Sequence, residues 1–134
     1  MKIRHFAPPA VLLGLLGLLI AQSPPPKDKP AAEEVDAVGK QAAGIEAQLA
    51  KTSSTSKEAA DLMLQLVDLY HANGRPFGLV RVAQLFVNLH TAHPRHKDAM
   101  LKLIDGLQAT GRNKELVATG RQFLTRHPND PAGR

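Results

Sequence analysis

The chain contains no cysteine and no tryptophan, and its only aromatic residues are four phenylalanines and one tyrosine. Without cysteine, disulfides, thiolate zinc sites, cysteine nucleophiles and lipid attachment at cysteine are all excluded. The core must therefore consist mainly of aliphatic side chains, which suit helix-on-helix packing. No sustained period-two alternation of strand-forming residues is present. At 134 residues, the sequence predicts a single all-α domain.

Motifs of the common enzyme classes are also missing. The chain has no Gly-x-Ser-x-Gly, no phosphate-binding loop and no His-Glu-x-x-His. We therefore expect a non-enzymatic protein without a cofactor or metal. The net charge is +5, and residues 75–134 contain 10 basic and 4 acidic residues. No aromatic residues alternate with these basic ones as stacking platforms for bases, so we expect an acidic protein partner rather than nucleic acid.

Residues 1–23 have the organisation of an export signal. Lys2 and Arg4 precede an unbroken run of small and apolar residues over 10–21, and Ala21-Gln22-Ser23 is a small-x-small cleavage pattern. The run is shorter than the roughly 20 residues that span a membrane, but Pro24 disfavours cleavage after Ser23. Two alternatives stay open: a cleaved signal peptide, or an N-terminal membrane anchor that tethers the protein through residues 6–22. Both predict export, to the periplasm or to the periplasmic face of the inner membrane.

The rest of the chain is predicted to be helical between short breaks. Residues 24–32 form a Pro-rich linker, and 33–51 form an N-terminal packing helix with one narrow apolar stripe. Thr55 and Glu58 have the spacing of a capping box at the start of the next helix, about 57–73. Apolar residues cover so much of that helix that we expect burial on more than one side. Residues 129–134 are predicted to be a polar tail.

An internal repeat relates residues 60–88 to residues 97–125 with a shift of 37 positions. A period near 35 residues is typical of stacked helical hairpins. The identical pairs are Asp61/Asp98, Met63/Met100, Leu64/Leu101, Leu66/Leu103, Asp68/Asp105, Ala72/Ala109, Gly74/Gly111, Arg75/Arg112, Leu79/Leu116, Val80/Val117 and Phe86/Phe123.

Counted from Lys97, apolar residues, a glycine and a proline recur at characteristic places. They are Met100, Leu103, Ile104, Leu107, Gly111, Leu116, Phe123 and Pro128. This pattern resembles a tetratricopeptide repeat. The resemblance implies two antiparallel hairpins over residues 57–128, stacked as a short α-solenoid of about five helices. Pro94 comes three residues later in its unit than Pro128, which predicts that the second helix of the first hairpin is one turn longer.

The resemblance also implies a groove lined by the first helix of each hairpin. The matching outward positions are Asp61, Leu64, Asp68, His71, Asp98, Leu101, Asp105 and Gln108. An Asp-Leu-Asp pattern repeated on one face suits an amphipathic segment with basic groups, although the same carboxylates would also keep a bare helix face soluble. The expected function is an adaptor or assembly factor that binds a protein partner in the bacterial cell envelope.

The last helix has no further helix after it to cover its apolar residues. Leu116, Val117 and Leu124 are therefore expected to be partly exposed, and an uncovered apolar face marks an interaction surface. Its occupant is either a partner protein or a second copy of the chain.

One histidine cluster supports a rival interpretation. His90, His93 and His96 recur at every third position, and histidines at that spacing can share a metal on one helix face. The rival function is a small periplasmic protein that binds a metal or an anionic ligand. Pro94 interrupts the helical spacing, and His93-Pro94 recurs as His127-Pro128, so a second interpretation is that these histidines favour helix ends.

Overall fold

The structure is a computed structural model that describes the backbone of residues 29–133 and the side chains of residues 37–132. The chain divides into two compact units, residues 1–34 and residues 35–134. Of the first unit, only the helical residues 29–34 are described. The predicted signal or anchor segment, residues 1–23, lies outside the described residues. The core contacts described here belong to the second unit.

The described chain is mainly α-helical and contains five α-helices. They are α1 (Lys29–Ala50), α2 (Lys57–Ala72), α3 (Pro76–Leu89), α4 (His96–Ala109) and α5 (Asn113–Arg126), followed by a short 3-10 turn (Pro131–Gly133). Between residues 29 and 133 there is no strand. The prediction of an all-α protein with about five helices is confirmed.

One helix start and one helix cap differ from the sequence-based expectation. Helix α1 begins at Lys29, so residues 29–32 of the predicted linker are helical. Pro30 is compatible with this start because a proline in the first turn loses no intrahelical hydrogen bond. The N-cap of α2 is Ser56 rather than Thr55, and its Oγ accepts the Ala59 amide at 3.1 Å.

The prediction of a longer second helix in the first hairpin is wrong. Helices α3 and α5 both contain 14 residues. His90 caps the end of α3, where its amide donates to the Phe86 carbonyl at 2.9 Å, and the corresponding His127–Phe123 bond is 2.8 Å. The additional residues before Pro94 therefore lie in the loop that leads to α4.

The 37-residue period is reproduced in the backbone of the two hairpin turns. Gly74 and Gly111 have φ values of 60° and 68°, the left-handed conformation in which glycine lacks the steric cost of a Cβ. In the first turn the Gly74 and Arg75 amides donate to the His71 and Tyr70 carbonyls, at 3.4 and 2.9 Å. The equivalent bonds of the second turn are 3.2 and 3.0 Å. Both turns thus satisfy the last carbonyls of the preceding helix by the same Schellman geometry.

Equivalent residues of the two hairpins share one core. Met63 and Met100 are each 1% exposed, and Phe86 and Phe123 are also buried. The expected burial of α2 on more than one side is confirmed by eight buried residues. Helix α1 adds Ala42, Ile45 and Leu49 to this core.

Polar contacts of Glu46 also hold helix α1. Glu46 accepts a hydrogen bond from the Tyr70 hydroxyl at 2.8 Å and pairs with Arg81. Glu46 thus joins α1 to both helices of the first hairpin. None of the helices in the described part of the chain is long and apolar enough to cross a membrane.

Candidate functional site

The predicted groove contains a four-residue charge cluster that joins α2 to α4. Arg95 donates to both oxygens of Asp68, at 3.1 and 3.0 Å, and to Asp98 at 2.8 Å. Lys102 donates to Asp68 at 2.6 Å and to Asp98 at 3.2 Å. The two carboxylates are thus matched by two cations of the same chain. Arg95 and Lys102 therefore neutralise much of the negative charge that was expected on this face.

The pKa values of the cluster reflect that pairing. Partial burial alone would raise the pKa of Asp68, but hydrogen bonds and charge from Arg95 and Lys102 outweigh it and lower the pKa. The same opposing causes lower the pKa of Asp98. Both aspartates are therefore ionised at neutral pH and committed to internal partners.

The other polar groove residues are more accessible. His71 on α2 lies 3.4 Å from Asp105 on α4, and both side chains are exposed. Asp61 and Gln108 are exposed as well. Beside the His71–Asp105 pair is a shallow, mainly apolar hollow that includes Leu79 among its lining residues. At this end of the groove, predicted polar side chains are thus open to solvent beside an apolar hollow.

The prediction that Leu64 lines the groove is wrong. Leu64 is 4% exposed and belongs to the core, and its equivalent Leu101 is half-buried against the same core. Helix α2 is covered on several sides, so a position that would face outward on a peripheral helix faces inward here. Leu64 therefore contributes to folding and is not available to a partner.

The histidine cluster does not converge on one point. The His90 Nε2 atom lies 3.0 Å from the Ser54 carbonyl, and the His93 Nδ1 atom accepts the Arg95 amide at 3.0 Å. His96 is buried, with its Nε2 atom 3.1 Å from the Val87 carbonyl. No group of three or more potential ligands is arranged to hold a metal in the described part of the chain.

The structural repeat pairs His90, rather than His93, with His127. Each follows the last residue of its helix, and each ring packs on a phenylalanine, with centroid distances of 5.3 Å to Phe86 and 5.1 Å to Phe123. His93 also contacts the Phe86 ring, with a centroid distance of 5.3 Å, but it lies in the loop beyond the end of α3. The match of His93 with His127 expected from the shared His-Pro dipeptides is therefore wrong.

The largest difference between the hairpins is on the outer face of their second helices. Val80 is 3% exposed on α3, and its equivalent Val117 is 53% exposed on α5. Val87 and its equivalent Leu124 are 5% and 45% exposed. On α3 this face is covered by α4, whose Gly106 approaches so closely that an added Cβ would lie 2.9 Å from Val80 Cγ2. The expected exposure of Val117 and Leu124 is confirmed.

Basic residues border the open face of α5. Lys114 and Arg121 share a helix stripe with Val117 and Leu124, because steps of three and four residues fall on one side. The nearby Glu115 lies 3.4 Å from Arg112, so its charge is matched. The equivalents of Lys114 and Arg121 on α3 are uncharged. The open face thus combines apolar contact area with unmatched positive charge.

Sequence reasoning missed a second group of exposed apolar residues, on α3. Phe77 is 73% exposed, Leu85 44% and Leu89 38%. Their equivalents on α5 are Lys114, Gln122 and Arg126. The position-by-position comparison would have shown this difference. The repeat does not require apolar residues at these positions.

No protein-family model matches the chain, and no curated protein or solved structure is significantly similar to it. The tetratricopeptide likeness therefore depends on the repeated residues and the repeated hairpin geometry alone.

Proposed function

We propose that this protein is a non-enzymatic protein–protein interaction module, a divergent tetratricopeptide-like adaptor or assembly factor of the bacterial cell envelope. The observation that carries the proposal is a difference in burial: the outer face of α3 is covered by a helix, and the equivalent face of α5 is exposed. Val80 and Val87 are buried under α4, whereas Val117 and Leu124 are exposed on α5. Exposed apolar area on a hairpin whose counterpart is covered by a helix supports partner binding.

The groove is a weaker candidate than the α5 face. Asp68 and Asp98 are already paired with Arg95 and Lys102, so a basic partner would have to compete with an internal network. The accessible end near His71 and Asp105 remains a proposed secondary contact. Export, by a cleaved signal peptide or an N-terminal anchor, is the part of the proposal that is supported by residues 1–23 only.

Site-specific photo-crosslinking tests the proposal in the producing cell. A photoreactive phenylalanine analogue is placed at position 124 in one variant and at position 85 in a second. Leu85 is the matched control because it is also a leucine on a second helix, with 44% exposure against 45% for Leu124. We expect one discrete protein adduct from position 124 and none from position 85.

A second substitution makes this experiment specific to the face. Val117→Lys, added to the variant with the crosslinker at position 124, should abolish the adduct while circular dichroism stays unchanged. Equal adducts from positions 85 and 124, or an adduct that survives Val117→Lys, would overturn the proposal.

A further inference from the structure

Within the chain, one helix already packs on the outer face of the second helix of a hairpin. Helix α4 lies on the α3 face formed by Leu79, Val80 and Val87, and it approaches through Gly106. An added Cβ at Gly106 would meet Val80 at 2.9 Å and Leu79 at 3.2 Å. Such close approach requires a residue without a side chain at the point of contact. The equivalent α5 face repeats Leu116, Val117 and the apolar character of position 124.

The charges that border the two faces differ. Where the α3 face has Phe77 and Gln84, the α5 face has Lys114 and Arg121, both exposed. Neither cation has an ion-pair partner among the described residues. A helix that lies along α5 brings its own flanking positions close to these two charges. Acidic residues at those positions would be attracted to Lys114 and Arg121, and basic residues would be repelled by them.

A second copy of the chain fits this face poorly. In a two-fold contact the same patch occurs on both sides, so the α5 cations of one copy would lie close to those of the other. The same charges that discourage self-association favour an acidic partner.

We propose that the α5 face binds an acidic amphipathic α-helix of a partner protein, with a glycine where the helix lies closest to Val117. This inference rests on the proposed function and specifies the chemistry of the partner. Leu116, Val117 and Leu124 supply the apolar contact, and Lys114 and Arg121 supply the charge preference.

Two synthetic peptides test the proposal with the full chain. Both retain the buried small and apolar residues of α4, and all their remaining positions carry glutamate in one peptide and lysine in the other. The retained residues are Ala99, Met100, Leu103, Gly106 and Leu107. We expect the acidic peptide to bind at least tenfold more tightly than the basic one by fluorescence anisotropy, with a difference that shrinks at high salt.

Charge reversal on the protein provides the control. Lys114→Glu with Arg121→Glu should invert the preference, whereas Lys51→Glu with Lys57→Glu, which changes the net charge equally at distant exposed positions, should preserve it. An acidic peptide with leucine in place of its glycine should lose at least tenfold in affinity. Retention of full affinity by this leucine peptide would overturn the requirement for a small residue.

Other outcomes separate this inference from the proposed function. Equal affinity for both peptides, or no binding of either, overturns the acidic-helix proposal, while a persistent adduct from position 124 leaves the proposed function standing. Sedimentation that shows a dimer of the chain, abolished by Val117→Lys, would identify a second copy as the occupant and would also overturn the proposal.

Discussion

The two hairpins of this protein have the same turns and the same buried anchors, but they differ in what covers them. In the first hairpin, α4 covers the outer face of the second helix. In the second hairpin, the corresponding face of α5 is open in the described structure. Because Leu and Val recur at matched positions, the difference in burial arises from the neighbours and not from the side chains. An identical residue is therefore buried at one position and open to the proposed partner at the other.

Matched leucine truncations should show the largest difference between the hairpins. Leu79 is 3% exposed, and Leu116 is only partly buried. We expect Leu79→Ala to lower the free energy of unfolding by about 3 kcal/mol and Leu116→Ala by about 1 kcal/mol. Urea unfolding followed by circular dichroism measures both. Equal losses would mean that the second hairpin is covered as completely as the first.

Alanine substitutions of two helix glycines should change the free energy of unfolding in opposite directions. Gly106→Ala places a Cβ against Val80, and we expect a net loss of about 1 kcal/mol from overpacking. Gly120 lies within α5 with nothing near a built Cβ, so Gly120→Ala should stabilise by about 0.5–1 kcal/mol through helix propensity. Thermal unfolding of the two variants checks the signs. A stabilising Gly106→Ala would contradict the close approach of α4 to α3.

The second hairpin should also add a sensitivity to pH. Buried His96 occupies the place of buried Ala59 in the repeat. Burial lowers the pKa of His96, and the nearby positive charge of Arg126 adds to this effect, although the hydrogen bond to Val87 opposes it. Because the unfolded chain then binds the proton more tightly, this contribution to stability is complete above the ordinary histidine pKa of about 6.5 and falls as the pH drops through it.

Urea unfolding at pH 7.5 and pH 5.5 tests this pH dependence. The unmodified protein should be less stable at pH 5.5, and His96→Gln should reduce the difference. An unchanged pH dependence in this variant would contradict the role assigned to His96.

Substitutions in the charge cluster should have the smallest effect on the free energy of unfolding. Asp68 is partly exposed, so we expect Asp68→Asn to cost less than about 1 kcal/mol, with the loss reduced in high salt. Asp61→Asn, at an exposed position of the same helix, is the matched control and should change little. Urea midpoints at low and high salt provide the measurement. A loss equal to that of Leu79→Ala would show that the cluster, rather than the apolar core, holds α4 against α2.

Local signals in the sequence predicted much of this fold. Gly74 and Gly111 recur with the 37-residue shift, and both hairpin turns form at these glycines. The first hairpin was predicted less well, since the position of Pro94 does not reveal whether additional residues extend the helix or the loop. In the structure α3 ends at Leu89 with His90 as its cap, and the additional residues belong to the loop.

The candidate site was less predictable because it depends on distant partners. The pairing of Asp98 with Lys102 follows from a spacing of four residues. The pairing of Asp68 with Arg95 joins α2 to the residue that precedes α4, and helix periodicity carries no information about it. The burial of Leu64 likewise depends on which helices surround α2.

The most direct test is methyl NMR of the full chain titrated with the acidic peptide. We predict that the methyl signals of Val117 and Leu124 shift, whereas those of Val80, buried at the equivalent position, and of Leu85, equally exposed on α3, do not. Shifts confined to Leu85, or no shift at Val117 and Leu124 at saturating peptide, would contradict the claim that α5 offers a partner helix the surface that α3 offers α4.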